Sequence, residues 1–529
     1  MARDAGCQAG SGNDVEAAFA RLQARLRPAA ALDATAGAAD GTVFVIPSID
    51  LDDSVLNRHA RELAALEERS LSLLFALRRA DVRLVVVTSR PVRAEVLEYY
   101  LRLIPEAAEA RSRVELLSPD DDSARPLARK ILERSDLLAR LAELVPDDGR
   151  AFILPFNVRG FERDLALKLD IPIYGIDHRF ARYGTKTGAR RLFECAGISH
   201  PAGVDGVRSS TELADALISL RHSRPKLEGA VVKHDDAVSG DGNRIIPLRD
   251  LPPAGSPKEA AALGVRLRSL SPSYLEKLAD GGIAEELIAG EIRSPSVQMR
   301  VLPGGEPLVI STHDQVLGGE LNQTFVACHF PASRDYAAGI VGEARKAGEY
   351  LAARGVAGRL GVDFVVVRRN GSWAPYAVEI NLHEGGTSHP YETLWLLTNG
   401  SLDEAKTTFR APSGQAKHYF ATDRLSHSGY RRIALRDFLG AATASGLDWD
   451  SNSQTGSVFH LLCSLEAEGR IGVTAIGDSP EQAHELYLGV VRLLDRLAAG
   501  TAVSPMCDVE PSAAPTERAA GCMFDTAHR

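Results

Sequence analysis

The stretch that decides the fold is Gly361-Val-Asp-Phe-Val-Val-Val367, followed after a short polar segment by Ala377-Val-Glu-Ile-Asn381. Both runs are rich in Val and Ile. The polar segment between them contains Asn370-Gly371, a pair that strongly favours a tight hairpin turn. The sequence therefore predicts two antiparallel strands, with Asp363 facing Glu379 and Asn381 across the pair.

Asp363, Glu379 and Asn381 offer only oxygen atoms as ligands. Carboxylate and amide oxygens suit a hard cation such as Mg²⁺, which shares its coordination with phosphate. Glu379 and Asn381 also interrupt an apolar strand, where an acid without a partner would be costly. A solvated hairpin with ordinary surface carboxylates is therefore the weaker interpretation.

The order of Asp363, then Glu379 and Asn381, resembles the metal-binding end of the ATP-grasp fold. The continuation Leu382-His-Glu-Gly-Gly-Thr-Ser-His-Pro390 is similar to the peptide ligases of the pheganomycin type. That family usually carries Arg where this chain has His383. Arg would be a fixed cation, whereas neutral His forms one directional hydrogen bond, so the resemblance leaves the substrate range open.

The resemblance implies a phosphate-binding region upstream of the hairpin. Lys186 at the start of a helical run would reach the nucleotide phosphates, and Lys233 at the end of an apolar strand would add a second charge. Small and polar residues after that strand would let backbone amides approach phosphate; they are Ser239, Gly240, Gly242 and Asn243. Alone, a lysine at a helix start or a Gly-rich loop is more often a plain surface feature.

The resemblance also implies an adenine and ribose site at a hinge between two lobes. Glu285, Glu286 and Ile288 match that hinge, and of the two acids we expect only one to bind ribose. Glu291 falls where the family often has a further acid. Gln298 and Arg300 on the next strand would point toward the phosphates, and His313 to Gln315 would position substrate or phosphate.

The activity implied by the resemblance is amide formation between a carboxylate and an amine, in natural-product or amino-acid-derivative biosynthesis. ATP would activate the carboxylate as an acyl phosphate, and the amine of an amino acid or peptide would then attack. Arg300, Lys233 and His383 are the implied catalytic residues, and Asp363, Glu379 and Asn381 would hold Mg²⁺ or Mn²⁺. Such chemistry depends on positioning and charge neutralisation rather than on a covalent enzyme intermediate.

Two alternatives within the same fold stay open. The first is a kinase-like enzyme that phosphorylates a small molecule and stops. The second is a non-catalytic module that uses ATP to order its lobes for a partner. His383 in place of Arg favours the second, while the retained metal-binding residues argue against it.

The first domain offers a competing interpretation. Asp50-Leu51-Asp52 and Thr88-Ser89-Arg90 are similar to the first two motifs of the haloacid-dehalogenase-type phosphatases. Ser48 and Asp53 fit that pattern poorly, and the acidic run at 120–122 lies on a Ser-Pro loop rather than at a strand end. Helix caps and polar strand ends are the simpler explanation.

Length and composition agree with a large enzyme. The chain has 529 residues, of which 45% are hydrophobic, enough for about three or four domains. The net charge of -9 disfavours nucleic-acid binding, which needs a basic surface. No apolar run is long enough to span a membrane, and the start lacks a signal peptide. Six cysteines without CxxC spacing indicate reduced thiols in the cytoplasm.

The predicted fold class is α/β, with an ATP-grasp fold of two α+β lobes at residues 181–410. Strands alternating with helices at 41–180, including a long helix near 54–79 and a strand at 171–174, predict a preceding domain with a parallel sheet and helices on both of its faces. Residues 411–500 predict a small α+β C-terminal domain, in which His460 either lines the substrate site or is simply structural. Its last helix is predicted to start at Ser479-Pro480 and to end near Leu497. Segments 1–40 and 501–529 are predicted to be flexible. Oligomeric state, a homodimer included, is open.

Overall fold

The computed structural model of the chain describes residues 12–26, 41–51, 56–57, 60–237, 242–319, 323–404 and 407–500. Most of the N-terminal segment 1–40 and all of the tail 501–529 lie outside the described residues. So do Asp52, Asp53, Ser239 and Gly240.

The first part of the chain folds around a parallel sheet. Its strands are β1 (Gly41–Ile46), β2 (Val82–Val87), β3 (Val114–Leu117) and β4 (Phe152–Pro155), in the order β3-β2-β1-β4. Its helices are α1 (Gly12–Gln23), α2 (Ala60–Glu67), α3 (Ala94–Arg102), α4 (Ala107–Ser112), α5 (Leu127–Leu132), α6 (Ser135–Glu143) and α7 (Gly160–Leu169). Val43 and Val45 belong to one apolar cluster, and Phe44 and Ile46 to another. Both faces of the sheet are therefore covered, as predicted.

Two details of this part differ from the prediction. The helix expected near 54–79 is α2 followed by a 3₁₀ helix at Glu68–Arg78. The strand expected at 171–174 contributes only a single bridge between Ile173 and Ile153. Pro172 interrupts that run, and a proline has no N–H to donate to a ladder.

The small lobe is an antiparallel sheet covered by helices. Its strands are β5 (Gly203–Val204), β6 (Gly229–His234), β7 (Asn243–Pro247) and β8 (Gly282–Glu286), in the order β5-β8-β6-β7. Its helices are α8 (Lys186–Ala196), α9 (Ser210–Ser223), α10 (Glu259–Leu267) and α11 (Pro272–Lys277), with 3₁₀ helices at His178–Gly184 and Leu278–Asp280. Leu213, Leu217 and Leu263 fill the space between sheet and helices.

The largest sheet has nine strands, and every pair in it is antiparallel. Its strands are β9 (Ile292–Arg293), β10 (Pro295–Val301), β11 (Pro307–Gly318), β12 (Thr324–Phe330), β13 (Gly358–Arg369), β14 (Ser372–Asn381), β17 (His418–Ser426), β18 (Gly456–His460) and β19 (Arg470–Gly477). β15 (Ser401–Asp403) and β16 (Thr408–Arg410) form a separate ladder. β12 pairs with β17, so the predicted boundary at residue 410 divides one continuous sheet.

One face of β10 and β13 forms the core of the large lobe. Val297, Met299 and Val362 are fully buried there against α12 (Arg334–Ala352), whose Ala344 and Ala347 face them. Because side chains alternate along a strand, the opposite face carries Gln298, Gly361 and Asp363. That face is where the predicted metal ligands lie.

The remaining helices are α13 (Ser388–Thr398), α14 (Leu435–Ala444), α15 (Cys463–Glu468) and α16 (Pro480–Ala498), with a 3₁₀ helix at Ser428–Arg432. α16 starts as predicted, because Ser479 accepts a hydrogen bond from the Gln482 N–H and Pro480 occupies the first turn. Within the described ranges, no helix has the length and hydrophobicity needed to cross a membrane.

Candidate active site

The predicted hairpin is present. β13 and β14 pair antiparallel, with Asp363 opposite Glu379 and Gly361 opposite Asn381. The turn residues Asn370 and Gly371 have φ of 51° and 83°, the left-handed conformation that a two-residue hairpin turn needs. The three predicted metal ligands therefore lie on the same face of neighbouring strands.

Asp363 is held between two amide side chains. Nε2 of Gln315 donates to Oδ1 of Asp363 over 2.8 Å, and Nδ2 of Asn381 donates to Oδ2 over 3.0 Å. Burial, and then the neighbouring carboxylate of Glu379, raise the pKa of Asp363 to about 7. Two carboxylates this close repel one another, and a bound cation would relieve that repulsion.

Glu379 is paired with Lys186. Nζ of Lys186 lies 2.5 Å from Oε1 of Glu379 and also donates to the Ala237 carbonyl over 3.2 Å. Thr185 caps helix α8 by accepting from the Gly188 N–H, which fixes Lys186 at the first position of the helix. Burial alone would raise the pKa of Glu379, but the charge of Lys186 outweighs it and keeps that pKa below its usual value.

Lys233, the second predicted phosphate-binding lysine, forms a buried cluster with Glu285 and Arg190. Nζ of Lys233 lies 2.8 Å from Oε2 of Glu285, and Nη1 of Arg190 lies 3.1 Å from Oε1. Arg190 also donates to the carbonyls of Pro201 and Gly203. Both oxygens of Glu285 therefore have cationic partners, which a buried carboxylate needs.

Sequence reasoning did not identify Arg190. It lies one helical turn after Lys186, a spacing that places both side chains on the same side of α8. Lys186 reaches the large lobe through Glu379, and Arg190 reaches the hinge strand β8 through Glu285. The i, i+4 spacing of Lys186 and Arg190 is the sequence feature that indicates a shared role.

The other hinge residues have varied surroundings. Oε1 of Glu286 accepts from the Ala202 N–H over 2.9 Å, and its other oxygen lies 3.3 Å from Arg224. Ile288 is 9% exposed. Glu291 is half exposed, beside Arg293 and Arg368 at 3.6 Å from each.

The two described residues of the predicted phosphate loop contact both lobes. The Gly242 carbonyl accepts from Oη of Tyr274 over 2.9 Å, and Nδ2 of Asn243 donates to Oε1 of Gln323 over 2.7 Å. Gly242 has no room for a side chain, because a Cβ there would come within 2.3 Å of the Ala237 methyl group.

Gln298 and Arg300 lie on the site face of β10. Gln298 pairs with Gly361 in β13, and its side chain lies over that glycine, where an added Cβ would meet Oε1 at 2.7 Å. Arg300 is 5% exposed and pairs in register with Arg359. Arg359 contacts Glu384 over 3.1 Å and also Glu392. Arg300 and Arg359 thus lie next to each other on β10 and β13, four residues along each strand from the register position of Asp363.

His383 lies against the first domain. Its ring stacks on Phe156, with centroids 5.1 Å apart and planes at 27°. Nδ1 lies 2.6 Å from the Glu384 carbonyl, so Nδ1 carries the hydrogen and Nε2 is left as an acceptor. Burial lowers the pKa of His383, which keeps the ring neutral. His383 lines a small cavity with Gln298, Ser311, Arg359 and Ser388.

The predicted segment from His313 to Gln315 divides between site and core. Gln315 reaches Asp363, as described above. His313 is completely buried, its Nε2 lies 2.7 Å from Oη of Tyr419, and burial lowers its pKa to about 3. The predicted role of His313 in placing substrate is not supported by its position in the core.

Ser89, one of the phosphatase-like residues of the first domain, belongs to a buried polar network. Ser89 donates from its N–H and Oγ to Glu67 over 2.6 and 2.7 Å, and Lys130 donates to Ser89 Oγ over 2.8 Å. Burial raises the pKa of Glu67 to about 7. Ser89 is thus bonded to Glu67 and Lys130, while Asp52 of the other motif lies outside the described residues.

Comparison with known proteins identifies the class. The family model of the PGM1 C-terminal domain matches residues 437–490. The chain is 31% identical over 426 residues to the L-propargylglycine–L-glutamate ligase of Streptantibioticus cattleyicolor, covering 79% of this chain and 86% of that protein. The chain belongs to the same family, the ATP-grasp carboxylate–amine ligases of the pheganomycin type. It is therefore an enzyme that uses ATP to join a carboxylate to an amine.

The chain is also similar to more distant proteins. The chain is 21% identical over 480 residues to the IQ motif-containing protein H of Danio rerio, and the aligned region covers 79% of this chain and 45% of that protein. The ADP complex of N5-carboxyaminoimidazole ribonucleotide synthetase matches with a TM-score of 0.48 and 14% identity, covering 86% of this chain and 97% of that one. Similarity at this level gives no information about substrates.

Proposed function

We propose that the enzyme forms an amide between the carboxylate of one amino acid or short peptide and the amine of another, through an acyl phosphate made with ATP. Amino-acid substrates are suggested by the relative whose name specifies L-propargylglycine and L-glutamate. The observation that carries the chemistry is the oxygen cluster of Asp363, Glu379 and Asn381, with Lys186 bound to Glu379.

The donor set at Asp363 fits Mg²⁺, or Mn²⁺ in its place. It consists only of oxygens on one sheet face, and two of its members are carboxylates that repel in the absence of a cation. Asp363, Glu379 and Asn381 would hold the ion, and the amide of Asn381 would turn its oxygen toward it. When bound, the ion would neutralise charge on the ATP phosphates.

Buried cations of the chain would bind the nucleotide and the developing charge. Lys186 and Lys233 would hold the phosphates, and Arg300 would stabilise charge on the transferred phosphoryl group. Lys233 is positioned by Glu285, and Arg190 shares that carboxylate. These contacts hold the lysine and the arginine in place, which lowers the cost of ordering them during the reaction.

His383 would select the amine. Since Nδ1 donates to the Glu384 carbonyl, Nε2 can only accept a hydrogen bond while the ring is neutral. An acceptor close to Gln298 and Ser388 suits an N–H group of the incoming nucleophile. An Arg at this position would instead bind a carboxylate.

The test is mass spectrometry of the protein incubated with ATP, Mg²⁺ and a pool of amino acids and dipeptides. The expected result is ADP together with a new mass equal to two pool members less water. The Asp363→Asn variant, which keeps the size of the side chain, should form neither product. ADP with a phosphorylated pool member and no condensed product would overturn the proposal in favour of a kinase-like reaction.

A further inference from the structure

A second group of potential metal ligands lies outside the nucleotide site. His389 on α13, Asp423 on β17 and His460 on β18 come together in the interior, each at most 5% exposed. Nε2 of His460 lies 2.5 Å from Oδ1 of Asp423, and Nε2 of His389 lies 3.2 Å from the same oxygen. The two Nε2 atoms are 3.0 Å apart.

Hydrogen bonds satisfy this triangle of atoms only by placing two donors on one oxygen. Each Nε2 has either one hydrogen or one lone pair, directed along the ring plane. If Nε2 of His389 and Nε2 of His460 both donate to Oδ1 of Asp423, the two hydrogens converge from nitrogens that are only 3.0 Å apart. If either nitrogen lacks its hydrogen, its lone pair faces the carboxylate oxygen. The three polar atoms are therefore crowded in every neutral arrangement.

A cation at the centre would make all three contacts favourable. Ligands about 2.0–2.2 Å from a tetrahedral ion are separated by about 3.4 Å. The separations between His389 and its two partners, 3.0 and 3.2 Å, are close to that value. The third separation, 2.5 Å between Nε2 of His460 and Oδ1 of Asp423, would lengthen by a small movement of the Asp423 carboxylate. These ligand atoms are thus arranged almost as a bound ion requires.

We propose that His389, Asp423 and His460 bind a divalent transition-metal ion, with Zn²⁺ the best match to two imidazoles and one carboxylate. This site is distinct from the all-oxygen cluster at Asp363, which suits Mg²⁺. Arg69 from the first domain contacts the other oxygen of Asp423, the kind of outer contact that orients a metal-bound carboxylate. Nδ1 of His389 has no hydrogen-bond partner among the described residues.

The location indicates what the ion would do. His389 belongs to the helix that follows His383, while Asp423 and His460 lie on strands added to the large sheet by the C-terminal segment. Arg69 ties the first domain to the same point. One ion would therefore join three parts of the chain, and its ligand His389 directly follows Ser388, which lines the same cavity as His383.

The test uses full-length protein without an affinity tag. The protein is dialysed against a chelator, exposed to Zn²⁺, desalted, and analysed by mass spectrometry for metal content. We expect close to one zinc per chain, and loss of at least nine-tenths of it in His460→Gln. His313→Gln removes a buried histidine outside the cluster, and Asp363→Asn alters the nucleotide site; both should retain the zinc.

A second measurement on the unaltered protein guards against a variant that fails to fold. Co²⁺ added to the dialysed protein should give visible absorption bands typical of nitrogen and oxygen ligands, which one equivalent of Zn²⁺ abolishes. Wild-type protein that keeps no zinc and gives no cobalt spectrum would overturn the proposal. Zinc retained equally by wild type and a folded His460→Gln variant would overturn it as well.

Discussion

Nζ of Lys186 lies 2.5 Å from Oε1 of Glu379, so a single ion pair joins the first turn of α8 to the end of β14. The lysine side chain is 6% exposed and the glutamate 31%. The pair connects the two lobes between which the nucleotide is proposed to bind. The proposed phosphate-binding lysine and a proposed metal ligand are thus in direct contact with each other.

A double-mutant cycle should detect this coupling. In nucleotide-free protein, Lys186→Met and Glu379→Gln each leave a partly buried charge without its partner, so each should lower the free energy of unfolding by about 1–3 kcal/mol. The double variant should be more stable than the sum of the two predicts, by about 1–2 kcal/mol. Denaturant titration measures all four proteins, and strictly additive effects would contradict the ion pair.

Asp363→Asn should abolish ligation and also change how stability depends on pH. Burial and Glu379 raise the pKa of Asp363 to about 7 in the folded protein, against about 3.9 in an unfolded chain. The protonated carboxyl therefore stabilises the fold fully below pH 4, and this contribution is lost as the pH rises to about 7. In Asp363→Asn the side chain cannot ionise, so the variant loses no stability from this position over that pH range.

The measurement is the free energy of unfolding without metal or nucleotide at pH 5 and pH 8. The free energy of unfolding of Asp363→Asn, relative to that of the wild type, should be higher at pH 8 than at pH 5 by about 1–3 kcal/mol. Gln315→Glu is not a suitable control because it adds charge to the same site. Asp335→Asn, at an exposed position on α12, should show no such shift.

Glu285 and Glu286 are adjacent in sequence but should respond differently to substitution. Glu285→Gln leaves Lys233 and Arg190 buried without a counter-charge, so the protein should lose about 3–5 kcal/mol of unfolding free energy. Glu286→Gln keeps a side-chain oxygen for the Ala202 N–H and loses only a longer contact to the half-exposed Arg224, so about 1 kcal/mol is expected. Thermal unfolding compares them, and equal losses would contradict the assignment.

The structural elements that the sequence predicts are those that a few neighbouring residues specify. Asn370-Gly371 specifies its hairpin within two residues, and Ser479-Pro480 specifies a helix start, so both elements were found from sequence. The register of Asp363 with Glu379 followed from that turn. The alternation of apolar runs and helices before residue 180 likewise sufficed for the parallel sheet.

Contacts between distant segments could not be predicted in this way. Arg190 meets Glu285 across 95 positions, and Arg69 meets Asp423 across a much longer stretch. No local sequence pattern predicts that β12 pairs with β17, a pairing that extends one sheet past residue 410. The same limit applies to His389, Asp423 and His460, each of which reads as an ordinary core residue in its own segment.

His383→Arg should change the choice of substrate more than the affinity for ATP. The native ring stacks on Phe156 and presents Nε2 as an acceptor, whereas Arg presents only donors. We expect kcat/KM for the preferred amine to fall by about 10- to 100-fold, with the KM for ATP changed less than about threefold. Competition between pool amines, followed by mass spectrometry, measures the preference directly. His383→Asn, which still offers an acceptor oxygen, is the matched variant and should lose less. An unchanged ranking of amines in both variants would show that His383 only supports the loop between β14 and α13.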